Sequence, residues 1–244
     1  MSETINPEER AKKIRKGVFK YFSLKVLVIS SLFICSILVF ALIIHEAVYE
    51  NEPAFDNKVF SYFAVISSDG LISVMKFFTF FGSSNFLLPA YIVLLAGLVI
   101  LKKYRYSLHV AIIALSSTGL MFALKDITHR HRPALPVIKG LTNYSFPSGH
   151  TLSTFIFCGI FTYIIWHAAI APFFKWLYIV LLFCFTITVG ISRIILKVHY
   201  PTDVIASFCI GIVWAISSLW ILRKISKKDK LKETEEIHVP DGAK

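Results

Sequence analysis

Charged side chains are scarce in this 244-residue chain: they make up 17% of it, whereas hydrophobic residues make up 56%. Soluble domains carry about a quarter charged residues, so this composition excludes an ordinary soluble protein and indicates a membrane protein. The formal net charge is +11. Because the basic residues cluster at the ends of apolar runs, where the positive-inside rule places them, we expect no nucleic-acid partner.

The chain also lacks the patterns of a cysteine-based metal site and of a disulfide framework. Its four cysteines all fall inside apolar runs, and no two of them form a C-x-x-C pair. We therefore expect them to be buried packing residues. They are Cys35, Cys158, Cys184 and Cys209.

The N-terminal part lacks the pattern of a cleavable signal peptide. A basic segment precedes the apolar run 26–44, but this run continues without a break for 19 residues, which is longer than a signal core. At about 1.5 Å per residue, the run can cross roughly 30 Å of hydrocarbon. We therefore expect an uncleaved first membrane span.

Long apolar runs dominate the rest of the chain and predict an all-α, polytopic membrane protein with six transmembrane helices. The stretch 59–81 is apolar as well, but residues 67–70 interrupt it and Lys76 lies inside it. We expect short interfacial or packed helices there, between the first and second spans. The predicted spans are 24–45, 85–101, 107–126, 150–170, 174–192 and 202–223.

The distribution of basic residues predicts the orientation. Of the 26 lysines and arginines, 18 lie before the first span, at 102–105, at Lys175 or after the last span, and this side should be cytoplasmic. The prediction divides the chain into a cytoplasmic basic segment (1–23), a six-span domain (24–223) and a cytoplasmic charged tail (224–244). Six of the other basic residues lie in the two outer loops after spans three and five, where binding an anion would explain them.

The first outer loop carries a pair of cations. Lys125 ends the third span, and Arg132 follows seven residues later, directly before Pro133. A lone lysine at a helix end is commonly a snorkelling side chain, so this pair is weak on its own. The role of Arg130, between them, is left open.

The sequence Pro147-Ser148-Gly149-His150 opens the fourth span. Proline is favoured in the first turn of a helix, where backbone N–H groups lack partners, and glycine lets a ligand approach the backbone closely. The positive end of a helix also favours an anion. A plain helix start is the alternative, but His150 faces the same loop as the two cations.

The third motif is the most specific. Ser192-Arg193 ends the fifth span, and His199 lies four residues before Asp203, at the start of the sixth. At this spacing the carboxylate can hold one imidazole nitrogen and leave the other free to attack. A structural His–Asp pair is the alternative, but it does not explain the nearby arginine.

Together the motifs read K-x6-R-P, P-S-G-H and S-R-x5-H-x3-D, and they resemble those of the type-2 phosphatidic acid phosphatase superfamily, the integral-membrane lipid phosphate phosphatases. Every fixed position from Lys125 to Asp203 matches. The resemblance implies that His199 attacks phosphorus to form a phosphohistidine, that Asp203 orients it, and that His150 transfers protons. It implies phosphate contacts from Lys125, Arg132, Arg193, Ser148, Gly149 and Ser192.

The resemblance implies a lipid phosphomonoester or diphosphate substrate in the bilayer, with the active site at the outer face. Candidates are phosphatidylglycerol phosphate, undecaprenyl diphosphate and phosphatidate, and the motif spelling resembles bacterial members. We expect no metal or other cofactor, because no acidic cluster lies near the motifs to hold Mg²⁺, and nothing indicates an obligate protein partner. The alternatives are a lipid phosphotransferase with the same first half-reaction and a non-catalytic anion-binding, lipid-binding or transport protein.

Overall fold

The computed structural model describes residues 7–237, with the side chains of residues 24–221 and Lys224, and this part of the chain is helical without strands. Residues 1–6 and 238–244, the ends of the two predicted terminal segments, lie outside the described residues. The eight α-helices are α1 (Pro7–Ile43), which continues as a π-helical stretch (Ile44–Tyr49), α2 (Ala54–Ile66), α3 (Asp69–Phe80), α4 (Ser84–Ile100), α5 (Tyr104–Thr128), α6 (Gly149–His167), α7 (Pro172–Ile195) and α8 (Pro201–Ile237).

Six segments of the described chain are long and apolar enough to cross a membrane, which confirms the predicted number of spans. The second of them begins earlier than predicted, because it joins α3 to α4 across the short turn 81–83 and runs from Asp69 to Ile100. Lys76 lies on the exposed face of α3, so it does not interrupt this helix. The spans are Leu24–Tyr49, Asp69–Ile100, Tyr104–Thr128, Gly149–His167, Pro172–Ile195 and Pro201–Ile221.

The predicted break at 67–70 lies between α2 and α3. The Ser67 hydroxyl donates to the carbonyl of Phe63 at 2.7 Å and so closes the end of α2. The Ser68 hydroxyl accepts from the backbone N–H of Leu71 at 3.2 Å and caps α3. Serine is a favourable N-cap because its oxygen satisfies an N–H that has no partner within the helix. Hydrogen bonds of the two serines therefore stabilise the ends of both helices at this break.

Helix α6 is central to the bundle and packs against α5, α7 and α8. Its buried residues Leu152, Ile156 and Ile160 form one core cluster with Met121 of α5 and Ile210 of α8. Many large hydrophobic residues outside this core are exposed in the isolated chain, as expected for helices that face lipid. The polar and charged residues that are buried lie mainly at one end of the bundle, where the three motifs meet.

A second, smaller cluster supports the segment between α7 and α8. Leu196 and Val198 are fully buried and pack with Met75 of α3. The carbonyl of Leu196 accepts a hydrogen bond from the backbone of Val137 at 3.0 Å. Because Leu196 and Val198, just before His199, are anchored in this cluster, the loop can hold the imidazole in a fixed place.

The cysteine prediction holds for only two of the four residues. Cys158 and Cys209 are buried, whereas Cys35 and Cys184 are exposed on the outside of the bundle. An apolar run in a membrane protein has a lipid-facing side as well as a packed side, so position within the run does not decide burial.

Candidate active site

The three motifs come together at one end of the bundle. Lys125 is near the end of α5, His150 is in the first turn of α6, Arg193 is near the end of α7, and Asp203 is in the first turn of α8. His199 lies in the anchored loop before α8 and is 2% exposed. The fold therefore gathers all three predicted catalytic residues and the three predicted cations into one site.

The imidazole of His199 is held from behind by a fully buried carboxylate. Its Nδ1 lies 3.5 Å from Asp203 Oδ2 and 3.4 Å from the hydroxyl oxygen of Ser145. The same Oδ2 accepts from the Ser145 hydroxyl and from the backbone N–H of Tyr200. Because these donors fix Oδ2, the carboxylate can orient the ring as the spacing predicts.

The other ring nitrogen faces a cation. Nη1 of Arg132 lies 3.3 Å from His199 Nε2. A guanidinium group can only donate, so Nε2 presents its lone pair and the ring proton belongs on Nδ1, beside Asp203. This is the tautomer in which Nε2 can act as a nucleophile.

His199 is neutral at physiological pH. Burial lowers its pKa from 6.5 to about 3, against the hydrogen bond and charge of Asp203, which raise it. The nearby charges of Arg193 and Arg132 lower the pKa further. A neutral imidazole keeps the lone pair that attack on phosphorus requires, so the surroundings of His199 favour its reactive form.

The three predicted cations are bound to carbonyl or hydroxyl oxygens, and within the described residues none forms an ion pair with a carboxylate. Lys125 Nζ donates to the Tyr144 carbonyl. Arg132 donates to the backbone carbonyl and side-chain oxygen of Asn143 and to the Val198 carbonyl. Burial lowers the pKa of Arg132, and Asp203 raises it.

Arg193 is almost completely buried. Its Nη1 donates to the Thr79 hydroxyl at 2.6 Å, and its Nε has no partner. A buried donor without a partner is costly. Uncompensated positive charge and an unused donor in one site favour an anion with several acceptor oxygens, such as a phosphate group.

His150 is partly buried and lies within electrostatic reach of Arg193, Arg132 and His199. The turn between α3 and α4 packs against it: a Cβ on Gly82 would come within 3.2 Å of the His150 Cβ and 2.8 Å of a Val189 methyl carbon. A glycine is therefore needed at this close approach. Sequence reasoning did not single out Gly82, because its role depends on contacts with α6 and α7.

The small predicted phosphate contacts have internal partners in this arrangement. The Ser148 hydroxyl is bonded to the Thr151 hydroxyl at 2.9 Å, and the Ser192 hydroxyl donates to the Val189 carbonyl at 2.6 Å. A Cβ on Gly149 would lie 2.8 Å from the sulfur of Met121, so α5 packs closely on α6 here and a larger residue would make the Met121 side chain shift. These residues lie at the site, but the contacts that the structure records for them are with other groups of the protein.

Three further residues take part in the site. Ser145 is fully buried and holds Asp203, although sequence reasoning gave it no role. Arg130 Nη1 lies 2.6 Å from Asp203 Oδ1, and its Nη2 lies 2.8 Å from Asp56 Oδ2. Asp56 belongs to α2 and is separated from the motifs by more than 60 residues, so no local pattern could reveal it.

No group of three or more His, Cys, Asp or Glu side chains in the described part of the chain is arranged to hold a metal ion. The two buried carboxylates of the site already have partners on the Nδ1 side of His199: Asp203 binds Ser145 and Arg130, and Asp56 binds Arg130 and Thr202. The side chains around Nε2 are therefore those that bind an anion.

Sequence comparison identifies one family model and two relatives of this chain. The PAP2 superfamily model matches residues 105–227, about half of the chain. Phosphatidylglycerophosphatase B of Bacillus subtilis (strain 168) is 29% identical over 180 residues, which cover 73% of this chain and 89% of that protein. The bacitracin transport permease protein BcrC of Bacillus licheniformis is 40% identical over 83 residues, but the match spans only 36% of its length.

Two crystal structures resemble this one. A transmembrane PAP2-type phosphatidylglycerolphosphate phosphatase from Bacillus subtilis has a TM-score of 0.68 at 25% identity, and the match covers 82% of this chain and 96% of that one. Aquifex aeolicus LpxE has a TM-score of 0.52 at 26% identity, with 66% and 93% covered. The similarity includes nearly all of both solved chains.

Proposed function

Because the chain belongs to the PAP2 superfamily, a family of membrane lipid phosphatases, we propose that it hydrolyses a lipid phosphomonoester or diphosphate through a phosphohistidine at His199. The resemblance in the motifs is confirmed at the level of the family, and the chain is a multi-pass membrane protein. The observation that carries the mechanism is the placement of His199, with Nδ1 at a carboxylate and Nε2 at a cation.

In the first step, Nε2 of His199 attacks phosphorus in line with the ester oxygen. With a phosphomonoester, the N–P bond forms, the P–O bond to the lipid breaks, and His150 gives a proton to the departing alkoxide. With a diphosphate, the bond from the terminal phosphorus to the bridging oxygen breaks, and His150 gives the proton to the departing lipid monophosphate. The imidazole gains positive charge as the N–P bond forms. Asp203 stabilises that charge from the Nδ1 side.

In the second step, His150 takes a proton from a water molecule, which attacks the phosphohistidine. The N–P bond breaks, inorganic phosphate leaves, and His199 returns to its neutral form. The same histidine thus serves first as an acid and then as a base. It lies in the first turn of α6, close to the charged groups around His199.

The cations supply the electrostatic part of catalysis. Lys125, Arg132 and Arg193 would bind the non-bridging oxygens, because no carboxylate among the described residues competes for them. One cation about 4 Å from an oxyanion contributes roughly 4 kcal/mol at an effective dielectric constant of about 20. Phosphoryl transfer depends mainly on positioning and charge stabilisation, so three such groups support a mechanism without a metal ion.

The substrate class follows from the relatives and the membrane setting. One relative is a phosphatidylglycerophosphatase, so phosphatidylglycerol phosphate heads the candidates, followed by undecaprenyl diphosphate and phosphatidate. We place the site at the outer face with both termini in the cytoplasm, on the distribution of basic residues. The apolar chain of the substrate would then stay in the bilayer while its phosphate reaches His199.

The test is a phosphate-release panel with the purified protein in detergent. The three candidate lipids and a soluble phosphate ester are compared, with no added acceptor alcohol. We expect release from at least one lipid at well above the rate for the soluble ester. No release from any lipid without an acceptor, with release or transfer when an alcohol is added, would identify a phosphotransferase instead.

The name of the second relative makes transport the other candidate. An anion carrier needs the three cations but has no use for a carboxylate that orients an imidazole. His199→Ala separates the two functions, because it should stop hydrolysis and leave anion binding in place. Transport of a lipid phosphate by reconstituted protein, undiminished in His199→Ala, would favour the carrier.

A further inference from the structure

Arg130 lies two residues before the motif arginine Arg132, but its surroundings differ. Its side chain is 9% exposed, and its two terminal nitrogens contact Asp203 Oδ1 at 2.6 Å and Asp56 Oδ2 at 2.8 Å. Its guanidinium carbon also lies 4.1 Å from the centre of the Tyr200 ring. Two carboxylates and an aromatic face already neutralise and enclose this cation. Arg130 is therefore not free to bind a phosphate oxygen.

Both carboxylate oxygens of Asp56 accept hydrogen bonds from groups close to Asp203. Oδ1 accepts from the backbone N–H of Thr202 at 2.9 Å, and Oδ2 accepts from the Thr202 hydroxyl and from Arg130, each at 2.8 Å. The Thr202 N–H belongs to the first turn of α8, where N–H groups have no partner within the helix. Asp56 thus caps α8 from a different helix, α2.

These contacts fix the carboxylate of Asp203. Arg130 holds Oδ1, while the Ser145 hydroxyl and the Tyr200 N–H hold Oδ2, the oxygen nearest to His199 Nδ1. A buried carboxylate needs a paired charge to stay ionised. Without Arg130, Asp203 could rotate or take a proton, and the Nδ1–H tautomer of His199 would lose its partner.

We propose that Arg130 and Asp56 are positioning residues for the reaction. Asp56 holds the Arg130 side chain in place, Arg130 holds the Asp203 carboxylate in place, and Asp203 in turn orients His199. The proposal rests on the function proposed above. Neither residue is a fixed position of the three motifs, and Asp56 lies outside the segment that the family model matches. The pair makes catalysis depend on the docking of α2 against α8, a helix pair that meets in the fold.

The expected signature is a loss in kcat with little change in KM, because neither residue touches the phosphate. Removing a partner one contact away from a catalytic group commonly costs about 10- to 100-fold, and we expect this range for Asp56→Asn and Arg130→Gln. Arg130→Lys keeps a charge but has one nitrogen in place of a planar fork, so it should restore only part of the rate. The double variant Asp56→Asn/Arg130→Gln should be no slower than Arg130→Gln alone, since the two act in series.

Two exposed residues nearby provide matched controls. Asp69→Asn makes the same change as Asp56→Asn in the first turn of α3, and Lys58→Gln removes a cation from α2 itself. Both should keep wild-type kcat and KM. Size-exclusion elution and thermal unfolding in detergent show whether each variant is folded.

A second readout does not depend on turnover. In ¹⁵N-histidine-labelled protein, the His199 signals are assigned by their loss in His199→Ala. Wild-type protein should show the proton on Nδ1, whereas Arg130→Gln should shift the tautomer balance or bring the titration of the ring closer to that of a free histidine. A purely structural role would leave these signals unchanged in a folded variant.

The outcomes separate the two proposals. If wild-type protein releases no phosphate from any lipid, the proposed function fails, and the imidazole signals alone decide the positioning role. Folded Asp56→Asn and Arg130→Gln with wild-type kcat and unchanged imidazole signals would overturn the positioning role. A raised KM with unchanged kcat would overturn it in favour of substrate binding, and loss of folded protein in Asp56→Asn, Arg130→Gln and Arg130→Lys alike would reduce the pair to a structural one.

Discussion

The two sides of the His199 ring have opposite electrostatic character. The side behind Nδ1 contains both buried carboxylates, Asp203 and Asp56, and their shared partner Arg130. The other side, called the cation side, has Arg132 at Nε2, with Lys125 and Arg193 close enough for the three charges to act on one another. No carboxylate pairs with any of these three cations in the described structure. Arg130 and Arg132 are two residues apart in sequence but differ in role. Arg130 is the counter-ion of two carboxylates, whereas Arg132 pairs with no carboxylate. Residue type alone therefore does not define the role, whereas the surrounding charges do.

This contrast explains how one end of the bundle can carry out phosphoryl transfer. The carboxylate side stabilises the imidazole when it becomes positive, and the cation side stabilises the phosphoryl oxygens. If the negative charges were on the Nε2 side, they would repel the substrate. If they were absent, the buried phosphohistidine would lack a counter-ion.

The largest loss of activity is expected when the His199 imidazole, which lies between the carboxylate side and the cation side, is removed. We expect His199→Ala to lower kcat by more than about 10⁴-fold, because the variant loses the nitrogen that forms the bond to phosphorus. Phosphate release from the preferred lipid measures the loss, and phosphate or vanadate binding by thermal shift should persist. A rate within tenfold of wild type would remove His199 as the nucleophile.

Neutralising the carboxylate side should be nearly as costly. In Asp203→Asn the amide keeps the shape of the carboxylate but cannot stabilise a charged imidazole, and an orienting carboxylate of this kind is worth about 10³- to 10⁴-fold in kcat. Initial rates at saturating lipid measure it. Asp69→Asn, the same substitution at an exposed position, is the control. An unchanged rate would show that the carboxylate does not orient the ring.

Weakening the cation side should cost less, because three cations share the phosphate. We expect Arg193→Gln to lower kcat/KM by roughly 10²- to 10³-fold, the usual loss for one oxyanion donor. Lys58→Gln, which removes an exposed cation from α2, should have no effect. Equal losses for the two variants would mean that overall charge, and not the arrangement around Nε2, controls the rate.

The low pKa of His199 predicts how acid affects stability. Burial lowers it from 6.5 to about 3, so the unfolded chain takes up the proton at a higher pH than the folded protein does. The contribution of the neutral ring to the free energy of unfolding is therefore present above about pH 6.5 and is lost as the pH falls towards 3. Thermal unfolding should depend less steeply on pH in His199→Gln than in wild type, and an identical slope would contradict the prediction.

The smallest expected effect is that of a chelator. The side chains near Nε2 bind anions, so EDTA should leave the rate unchanged within about twofold, the scatter of such assays, whereas a metal-dependent enzyme would lose its activity. Inhibition by EDTA that Mg²⁺ reverses would show that a metal ion shares the cation side.

The cation side of the site could be predicted from the sequence, and the carboxylate side only in part. Lys125, Arg132, Arg193 and the His199–Asp203 pair stand at fixed spacings next to span ends, so the order of the helices alone brings them together. Ser145, Arg130 and Asp56 hold Asp203 through contacts made by loop and helix packing, over 58, 73 and 146 residues of sequence for the hydrogen bonds concerned. No local pattern encodes such contacts.

The fold, like the site, could be predicted from the sequence only in part. The number of spans follows from the apolar runs, but the second span starts at Asp69 because the turn 81–83 joins α3 to α4. Gly82 in that turn approaches His150 closely, which depends on the packing of α4 beside α6. Ser148 and Ser192 were predicted to bind phosphate, and the structure records only their internal hydrogen bonds.

The stereochemical course at phosphorus tests the central claim most directly. A lipid thiophosphate made chiral with oxygen isotopes is hydrolysed in isotopically labelled water, and the configuration of the released thiophosphate is determined. Each in-line displacement inverts phosphorus, so attack by His199 followed by attack of water should give overall retention. Overall inversion would mean that water attacks the lipid directly, and it would contradict the account.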